Sequence, residues 1–420
     1  MRALRTLSAL ARFAKLDYPL LLRLSRKTSR CAAKQNRMND KHLLAELARY
    51  LESQIPGAAG PQPTPATPPP ETLVRALYER QLIRNSAGAS LLKRRQLPPE
   101  PVRSLDAIPA IPVAAYKHLE LTTVAPEDRV AVFHSSGTAG QQPSRHHHSA
   151  ATLQIYELAI EAWFKRQVLG HLPWAWRRRH PESTDRIRML SLTPSPLNAP
   201  HSSLAYMIAS LFRRFGSTDS CFAGVAGHDG WQVDHAQVLR SLRSAPGAGP
   251  VILFGTAFNF VHLLDELTRR GESFALPDGS QVMETGGYKG RSREVPKEEL
   301  HDMISTRLGV PADRIVCEYG MAELSSQAYD TCGDSAQSSG SGRRFLFPPW
   351  CHPTVVSPET GQEVSVGQAG LLRIADLSNV ASVLCVQTED LATRHEAGIT
   401  LLGRSGQAEP RGCSLMAASQ

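Results

Sequence analysis

The chain has 420 residues, of which 41% are hydrophobic and 20% charged, a composition typical of a globular protein with two or three domains. Its net charge of +8 is concentrated at the start, because residues 1–39 hold ten of the 47 basic residues and one of the 39 acidic residues. The remainder is close to neutral and has no basic stripe, which excludes nucleic acid as a partner.

Hydropathy and cysteine usage indicate a protein of the reducing cytoplasm. No run of 18 apolar residues occurs, so no transmembrane segment is predicted. The seven cysteines are odd in number and none lies in a CxxC spacing, which argues against a zinc site and against a secreted disulfide framework. They are Cys31, Cys221, Cys317, Cys332, Cys351, Cys385 and Cys413.

Residues 1–37 form a basic, amphipathic stretch that contains one acidic residue, Asp17. Three interpretations remain open: a targeting peptide, a helix at a membrane surface, or an extension ahead of the true start. We therefore expect this stretch to lie outside the fold. From Met38 a helical apolar period begins, with Asn39 or Asp40 in position to cap a helix.

Three regions follow the basic extension. Residues 38–130 are helical in pattern and are interrupted by a proline-rich linker at 56–71. In 131–345, apolar runs such as VAVF, IRMLSL and PVILFGT alternate with helical stretches, which predicts a mainly parallel sheet covered on both faces. Residues 346–420 contain short strand patterns and turns, which predict a smaller β-rich subdomain and a C-terminal tail. The predicted fold class is α/β.

The segment HSSGTAGQQPSRH, from His134 to His146, follows a strand pattern and precedes a helical pattern. Backbone N–H groups and hydroxyls in such a loop can surround an oxyanion, although the same composition also suits a plain polar turn. It is not a Walker A loop, since GxxxxGK[ST] is absent. The consecutive histidines at 146–148 do not favour a metal site, because adjacent residues do not converge on one ion. The candidate phosphate ligands are Ser135, Ser136, Gly137, Thr138, Gly140 and Arg145.

Further motifs follow this loop in a fixed order. IVCEYGMAELSSQAYD (315–330) is an apolar strand that ends in Tyr-Gly-Met-Ala-Glu, and VQTEDL (386–391) is followed fourteen residues after Asp390 by Arg404. Together with the loop, this set resembles the adenylate-forming superfamily. The segments ETGGYKGRSREVPKEEL, EYGMAELSSQAYD and EPRGCSL resemble more narrowly the bacterial acyl-protein synthetases, the long-chain-fatty-acid–luciferin-component ligases, over residues 40–415.

The resemblance implies the N-terminal-domain fold of adenylate-forming enzymes, with layered α/β subdomains, ATP as cosubstrate and Mg²⁺ as cofactor. The loop would hold the β,γ-phosphates, while Gly286, Gly287 and Tyr319 would pack around adenine and Gly320 would belong to the same nucleotide-binding motif. Glu323 would bind Mg²⁺. Asp390 would accept hydrogen bonds from the ribose, with Arg404 close by.

The resemblance also implies a carboxylic acid substrate, a fatty acid above all, with the acyl group passed to Cys413 and onward to an acyl reductase or a carrier protein. Arg411 would favour the Cys413 thiolate. His201 is a candidate for the substrate carboxylate, although a loop histidine beside a proline often has no such role. Cys317 and Cys385 lie in apolar strands and are predicted to be buried.

The sequence departs from the family pattern at Ala139 and Ala322, where threonine hydroxyls are usual. Sixteen residues follow Arg404, so we expect no C-terminal lid domain of the kind that carries a catalytic lysine in most of the superfamily. Two alternatives remain open at this point. One is an aryl- or short-chain-acid ligase that resembles phenylacetate–CoA ligases and delivers to CoA or a carrier protein. The other is a nucleotide-binding module without turnover.

Overall fold

The computed structural model of the chain describes residues 30–55, 67–94, 102–135, 143–171, 186–227, 230–245, 249–287, 293–330, 343–396 and 398–404. Eight α-helices occur in these residues, and none of them is long and apolar enough to cross a membrane. They are α1 (Arg30–Ser53), α2 (Glu71–Arg84), α3 (Ser86–Arg94), α4 (Ala150–Gln167), α5 (Ser203–Phe215), α6 (His235–Arg243), α7 (Ala257–Arg270) and α8 (Lys297–Leu308).

A mixed sheet of 13 strands and a separate two-stranded hairpin make up the β-structure of the same residues. The hairpin strands are β2 (Ala131–His134) and β3 (Arg145–His148). The sheet strands are β1 (Ile111–Pro112), β4 (Arg188–Pro194), β5 (Cys221–Gly227), β6 (Gly230–Val233), β7 (Val251–Thr256), β8 (Gln281–Thr285), β9 (Ile315–Tyr319), β10 (Ala328–Asp330), β11 (Phe345–Leu346), β12 (Cys351–Val356), β13 (Ala369–Asp376), β14 (Cys385–His395) and β15 (Gly398–Arg404).

The parallel half of the sheet has the order β5-β4-β7-β8-β9, with β6 antiparallel at its edge. Its central strands β4, β7, β8 and β9 are buried on both faces, as expected when helices cover both sides of a sheet. Ile252 and Phe254 of β7 belong to the core cluster that includes α4 and α5, while Leu253 belongs to the cluster of α6, α7 and α8. The predicted α/β fold class is therefore confirmed.

The other half of the sheet is antiparallel. Strands β10 and β11 continue from β9, and β15, β14, β13 and β12 follow in that order, so the β-rich C-terminal region shares one sheet with the α/β core. Strand β1 joins by pairing in parallel with β14. This continuity brings the end of β9 close to β14 and β15.

Local sequence signals account for several helix ends. Ser149 caps α4 in a capping box with Thr152, and Thr256 caps α7 in the same way with Asn259. Both α7 and α8 end at glycines in the left-handed conformation, Gly271 at φ 66° and Gly309 at φ 67°.

The N-terminal helix begins earlier than the sequence indicates. It starts at Arg30 and runs through Asn39 and Asp40, so the prediction that either residue caps a helix is wrong. Asp40 instead forms ion pairs with Arg80 and Arg84 of α2. The Arg80 guanidinium also donates to the Val380 carbonyl at 2.6 Å, which ties the N-terminal helices to the antiparallel half of the sheet.

Candidate functional site

The predicted phosphate loop connects the two strands of the hairpin. At its base, the Ser135 N–H donates to the Ser144 carbonyl at 3.2 Å and the Ser144 N–H donates to the Ser135 hydroxyl at 3.0 Å. Residues 136–142 lie outside the described residues, and with them the predicted ligands Ser136, Gly137, Thr138 and Gly140 and the departure at Ala139. The structure thus defines where the loop begins and ends.

The loop precedes a helix as predicted, and a short strand that the sequence pattern did not indicate lies before that helix. Residues 145–148 form β3, which pairs residue by residue with β2 before Ser149 caps α4. The side chains of β3 alternate between two faces, as in any strand. His146 and His148 are buried on one face, while His147 lies on the other.

Arg145 and His201 lie at the outer side of the hairpin. Arg145 is exposed and pairs across the hairpin with His134. The His201 ring stacks on the His134 ring, with centroids 4.3 Å apart and planes 17° apart. His201 Nδ1 lies 3.1 Å from the Val132 carbonyl. Burial, together with His201 and Arg145, lowers the pKa of His134. His201 thus lies beside the loop, and its role toward a substrate carboxylate stays a prediction.

Glu323 lies in the turn between β9 and β10 and is 4% exposed. The Ser144 hydroxyl donates to its Oε1 at 2.9 Å, and His146 Nε2 lies 2.8 Å from the same hydroxyl. Burial, with His147 and His134 nearby, lowers the pKa of His146 to about 3, so this ring is neutral at pH 7. We call Ser144, His146 and Glu323 the loop cluster.

The backbone that carries Glu323 is held from the end of β13. The Asn379 amide donates to the Glu323 carbonyl at 2.8 Å. The Asp376 carboxylate, which is fully buried, accepts hydrogen bonds from the N–H groups of Ser325 and Ser326, each at 2.9 Å. It also accepts from the hydroxyls of Ser326 and Ser378.

Sequence reasoning missed Asp376 and Asn379. The segment ADLSN after an apolar strand could have signalled them, because short polar side chains after a buried strand often bond to backbone groups.

Tyr319, Asp390 and Arg404 form a second group, which we call the strand cluster. The Tyr319 hydroxyl donates to Asp390 Oδ2 at 2.8 Å, and Arg404 Nε lies 3.3 Å from Asp390 Oδ1. Asp390 and Arg404 are directly opposite each other in the pairing of β14 with β15. Burial raises the pKa of Asp390, while Arg404 and the Tyr319 hydroxyl oppose that shift. The strand pairing itself therefore positions this cluster.

The Tyr319 ring is 1% exposed and packs edge-on against Phe345 and Phe347. Gly286 and Gly287 follow β8 directly and are buried, and Gly287 has a φ of 113°, which favours glycine. The roles of all three residues toward adenine stay predictions.

Gly320 is confined by its neighbour Glu318. A Cβ at position 320 would lie 2.2 Å from Glu318 Oε1. Burial, with Glu284 nearby, raises the pKa of Glu318 to about 7, although a hydrogen bond with Thr285 lowers it. The Glu318 carboxyl group, with a pKa near neutral pH, therefore lies against Gly320 of the Tyr-Gly-Met-Ala-Glu turn.

The two cysteines predicted to be buried are buried, Cys317 at 6% and Cys385 at 2% exposure. Burial raises the pKa of the Cys385 thiol to about 12 and that of Cys317 well above its usual value. Cys317 faces the charged groups of Glu284 and Lys297 rather than a purely apolar core. Burial therefore disfavours the thiolate form of both residues. Cys413 and Arg411 lie outside the described residues.

The loop cluster and the strand cluster meet at the Tyr-Gly-Met-Ala-Glu turn, since Tyr319 and Glu323 are four residues apart. Glu323 contributes to the electrostatic environment of both Tyr319 and Asp390. The structure thus brings together the ends of the predicted phosphate loop, Glu323, Asp390 and Arg404. Ala322 lies in the same turn and is partly buried.

Comparison with known sequences identifies relatives over most of the chain. The family model of the acyl-protein synthetases (LuxE) matches residues 99–420. The long-chain-fatty-acid–luciferin-component ligase of Aliivibrio fischeri is 23% identical over 331 residues, which cover 76% of this chain and 80% of that protein. The protein with the same description from Vibrio harveyi is 22% identical over 354 residues, which cover 82% and 85% respectively.

Two solved structures with a similar fold are states of one CoA ligase. An open conformation of 2-hydroxyisobutyryl-CoA ligase, in complex with 2-HIB-AMP and CoA, superposes with a TM-score of 0.57 at 15% identity, covering 83% of this chain and 79% of that chain. The postadenylation state of the same ligase, in complex with 2-HIB-AMP, gives 0.57 at 14% identity and covers 83% and 72%. At such low identity these matches bear on the fold, and they confirm the predicted adenylate-forming fold.

Proposed function

Because the chain belongs to the acyl-protein synthetase family, a family of ligases, we propose that it uses ATP to activate a carboxylic acid as an acyl-adenylate and passes the acyl group to a protein thiol. The acid is a fatty acid, in line with the description of the two bacterial relatives. The observation that carries this proposal is the contact of the loop ends with Glu323, beside the buried Tyr319–Asp390–Arg404 group.

The first step joins the acid to AMP. A carboxylate oxygen attacks the α-phosphorus of ATP, the bond from that phosphorus to the bridging oxygen breaks, and pyrophosphate leaves with the electron pair. The Ser135 hydroxyl and the exposed Arg145 would meet the negative charge on the leaving group. Asp390 would accept hydrogen bonds from the ribose hydroxyls, and the neighbouring Arg404 favours the ionised form of its carboxylate against the effect of burial.

Glu323 fits a magnesium site. Mg²⁺ prefers oxygen ligands and is commonly held by one or two carboxylates together with substrate phosphates. Glu323 supplies one such carboxylate, which is buried and directed toward the loop base. The metal would neutralise charge on the leaving pyrophosphate.

The second step would occur at Cys413. Its thiolate attacks the acyl carbonyl carbon, a C–S bond forms, the C–O bond to the AMP phosphate breaks, and AMP leaves with the electron pair. The thiol proton goes to solvent. The described thiols that are fully buried are poor candidates because burial raises their pKa, and we assign the acceptor role to Cys413 from the EPRGCSL segment. A reductase or carrier protein would then take the acyl group.

Exchange of labelled pyrophosphate into ATP tests the first step. We expect exchange that depends on Mg²⁺ and on added acid, with long-chain fatty acids preferred. A preference for aryl or short acids would identify a phenylacetate–CoA-ligase-like enzyme instead. Nucleotide binding without exchange for any acid would identify a binding module, in line with alanine at 139 and 322.

Gel analysis with ATP and labelled acid tests the second step. We expect label on the chain that neutral hydroxylamine releases and that Cys413→Ser abolishes. The matched control is Cys221→Ser, which changes a partly exposed cysteine and leaves the label in place. Label that persists in Cys413→Ser would contradict the proposed acceptor.

A further inference from the structure

We propose that His146 is a positioning residue that acts through the Ser144 hydroxyl to hold the Glu323 carboxylate in its metal-binding orientation. The inference rests on the proposed function, because it assigns His146 and Ser144 to the Glu323 metal site. Neither residue carries a role in the sequence motifs, where His146 figured only in the run of three histidines.

The three side chains form a bent relay inside the protein. His146 Nε2 lies 2.8 Å from Ser144 Oγ, which lies 2.9 Å from Glu323 Oε1, whereas His146 and Glu323 are 3.9 Å apart. His146 is 4% exposed, Glu323 4% and Ser144 2%. At such burial water does not readily replace a lost partner, so each hydrogen bond has a high cost of removal.

The number of hydrogens available on each group determines which one donates in each hydrogen bond of the relay. A serine hydroxyl has one hydrogen, and an ionised carboxylate only accepts, so the Ser144 hydrogen points to Glu323. The Ser144 oxygen can then contact His146 favourably only as an acceptor, which places a hydrogen on His146 Nε2. His146 thereby fixes the rotation of the hydroxyl, and the hydroxyl fixes one oxygen of the carboxylate.

Three separate elements contribute to the position of Glu323. Asn379 holds its backbone carbonyl from the end of β13, the hairpin holds its Oε1 through Ser144, and β9 supplies the turn itself. His146 is in turn packed against the Tyr116 ring, with centroids 4.8 Å apart. A glutamate has three side-chain torsions, and the hydrogen bond from Ser144 favours one orientation of the carboxylate among those available to it. Partners of this kind commonly change metal affinity about 10- to 100-fold when removed.

The test measures metal binding rather than turnover. Binding of Mn²⁺ is followed by electron paramagnetic resonance in the presence of a nonhydrolysable ATP analogue. We expect Ser144→Ala and His146→Leu each to weaken Mn²⁺ binding about tenfold or more. The double variant should be no weaker than Ser144→Ala alone, because both changes break the same relay.

Conservative variants separate positioning from packing. Ser144→Thr keeps the hydroxyl, and His146→Gln keeps an N–H donor near the Nε2 position, so both should bind Mn²⁺ nearly as well as the wild type. The matched control is His147→Gln, which changes the neighbouring ring on the opposite face of β3 and should have no effect.

Equal Mn²⁺ affinity in the wild type, Ser144→Ala and His146→Leu would overturn the proposal, and so would additive losses in the double variant. Should His146→Leu fail to fold, the comparison of Ser144→Ala with Ser144→Thr decides. A wild type that exchanges no pyrophosphate with any acid would instead overturn the proposed function, so the two failures are distinct.

Discussion

The loop cluster and the strand cluster are built in different ways. Asp390 and Arg404 face each other because β14 and β15 pair in that register, and Tyr319 reaches them from the end of β9. Glu323 depends instead on side chains, since Ser144 holds its carboxylate and Asn379 holds its carbonyl. One half of the site is therefore positioned by the sheet, and the other by hydrogen bonds between segments distant in sequence.

This difference suits the two halves to different tasks. A ribose is the same before and after the reaction, so a rigid strand cluster can bind it throughout. The phosphate groups change position and charge as pyrophosphate leaves, so the contacts on the loop side differ between substrate and product. Variants in the strand cluster should therefore affect binding of ATP, while variants in the loop cluster should affect metal binding and turnover.

The largest effect is expected for Glu323→Gln. The amide keeps the hydrogen bond from Ser144 but loses the charge that would bind Mg²⁺, so kcat for acid-dependent exchange should fall about a hundredfold or more. The KM for ATP should change far less. The control is Glu359→Gln, which changes an exposed glutamate in a turn. Exchange at the wild-type rate would remove Glu323 from the site.

A smaller effect, on binding, is expected for Asp390→Asn. Loss of a charged acceptor is worth about 1.5–3 kcal/mol, which corresponds to a rise in the KM for ATP of roughly ten- to a hundredfold. Steady-state exchange over a range of ATP concentrations gives the value. Glu389→Gln changes the next residue, on the opposite face of β14, and should leave KM unchanged. A fall in kcat with constant KM would contradict the assignment of the strand cluster to ATP binding.

Asp376→Asn tests the anchoring of the loop side through stability. The buried carboxylate accepts hydrogen bonds from backbone and side-chain donors, and an amide nitrogen would face some of those donors. The free energy of unfolding should fall by about 3–5 kcal/mol in denaturant titrations. The exposed Asp278 provides the control, and Asp278→Asn should be neutral. An unchanged midpoint for Asp376→Asn would show that the turn needs no such anchor.

The raised pKa of Glu318, which lies next to the turn that joins the clusters, predicts that the stability of the protein depends on pH. Its pKa is raised from 4.5 to about 7, so the folded protein binds this proton more tightly than the unfolded chain does. That contribution to stability is complete below pH 4.5 and is lost as the pH rises through about 7. Glu318→Gln should therefore be more stable than the wild type at pH 8, by up to about 3 kcal/mol, and the difference should shrink toward pH 5. A difference that is the same at both pH values would contradict the assignment.

Much of the fold was predictable because its strands are buried on both faces. A continuous apolar run such as Val251–Thr256 cannot lie at the surface, and the alternation of such runs with amphipathic helices indicates the α/β class. The strand Arg145–His148 is polar and has no apolar run from which it could be predicted. Its buried side chains are imidazole rings, which pack against Tyr116 and Phe133. The start of α1 was missed for a related reason, since Asp40 serves an ion pair with Arg80 rather than a cap.

The candidate site was predictable where a motif carries it. Glu323, Asp390 and Arg404 were identified from the order of motifs, and they lie together with the loop base. Ser144 and His146 were missed because their partner, Glu323, lies 179 residues beyond Ser144, and no local pattern reports such a contact. The same holds for Asp376, which acts on Ser325 and Ser326 about fifty residues earlier.

The most direct measurement of the central claim, acid activation through an adenylate, follows an oxygen atom. The protein is incubated with ATP, Mg²⁺ and a fatty acid labelled with ¹⁸O in its carboxylate, and the AMP is analysed by mass spectrometry. Attack of the carboxylate on the α-phosphorus, followed by cleavage at the acyl carbon, predicts one ¹⁸O atom in each AMP released. AMP without label, or label in inorganic phosphate instead, would contradict the account.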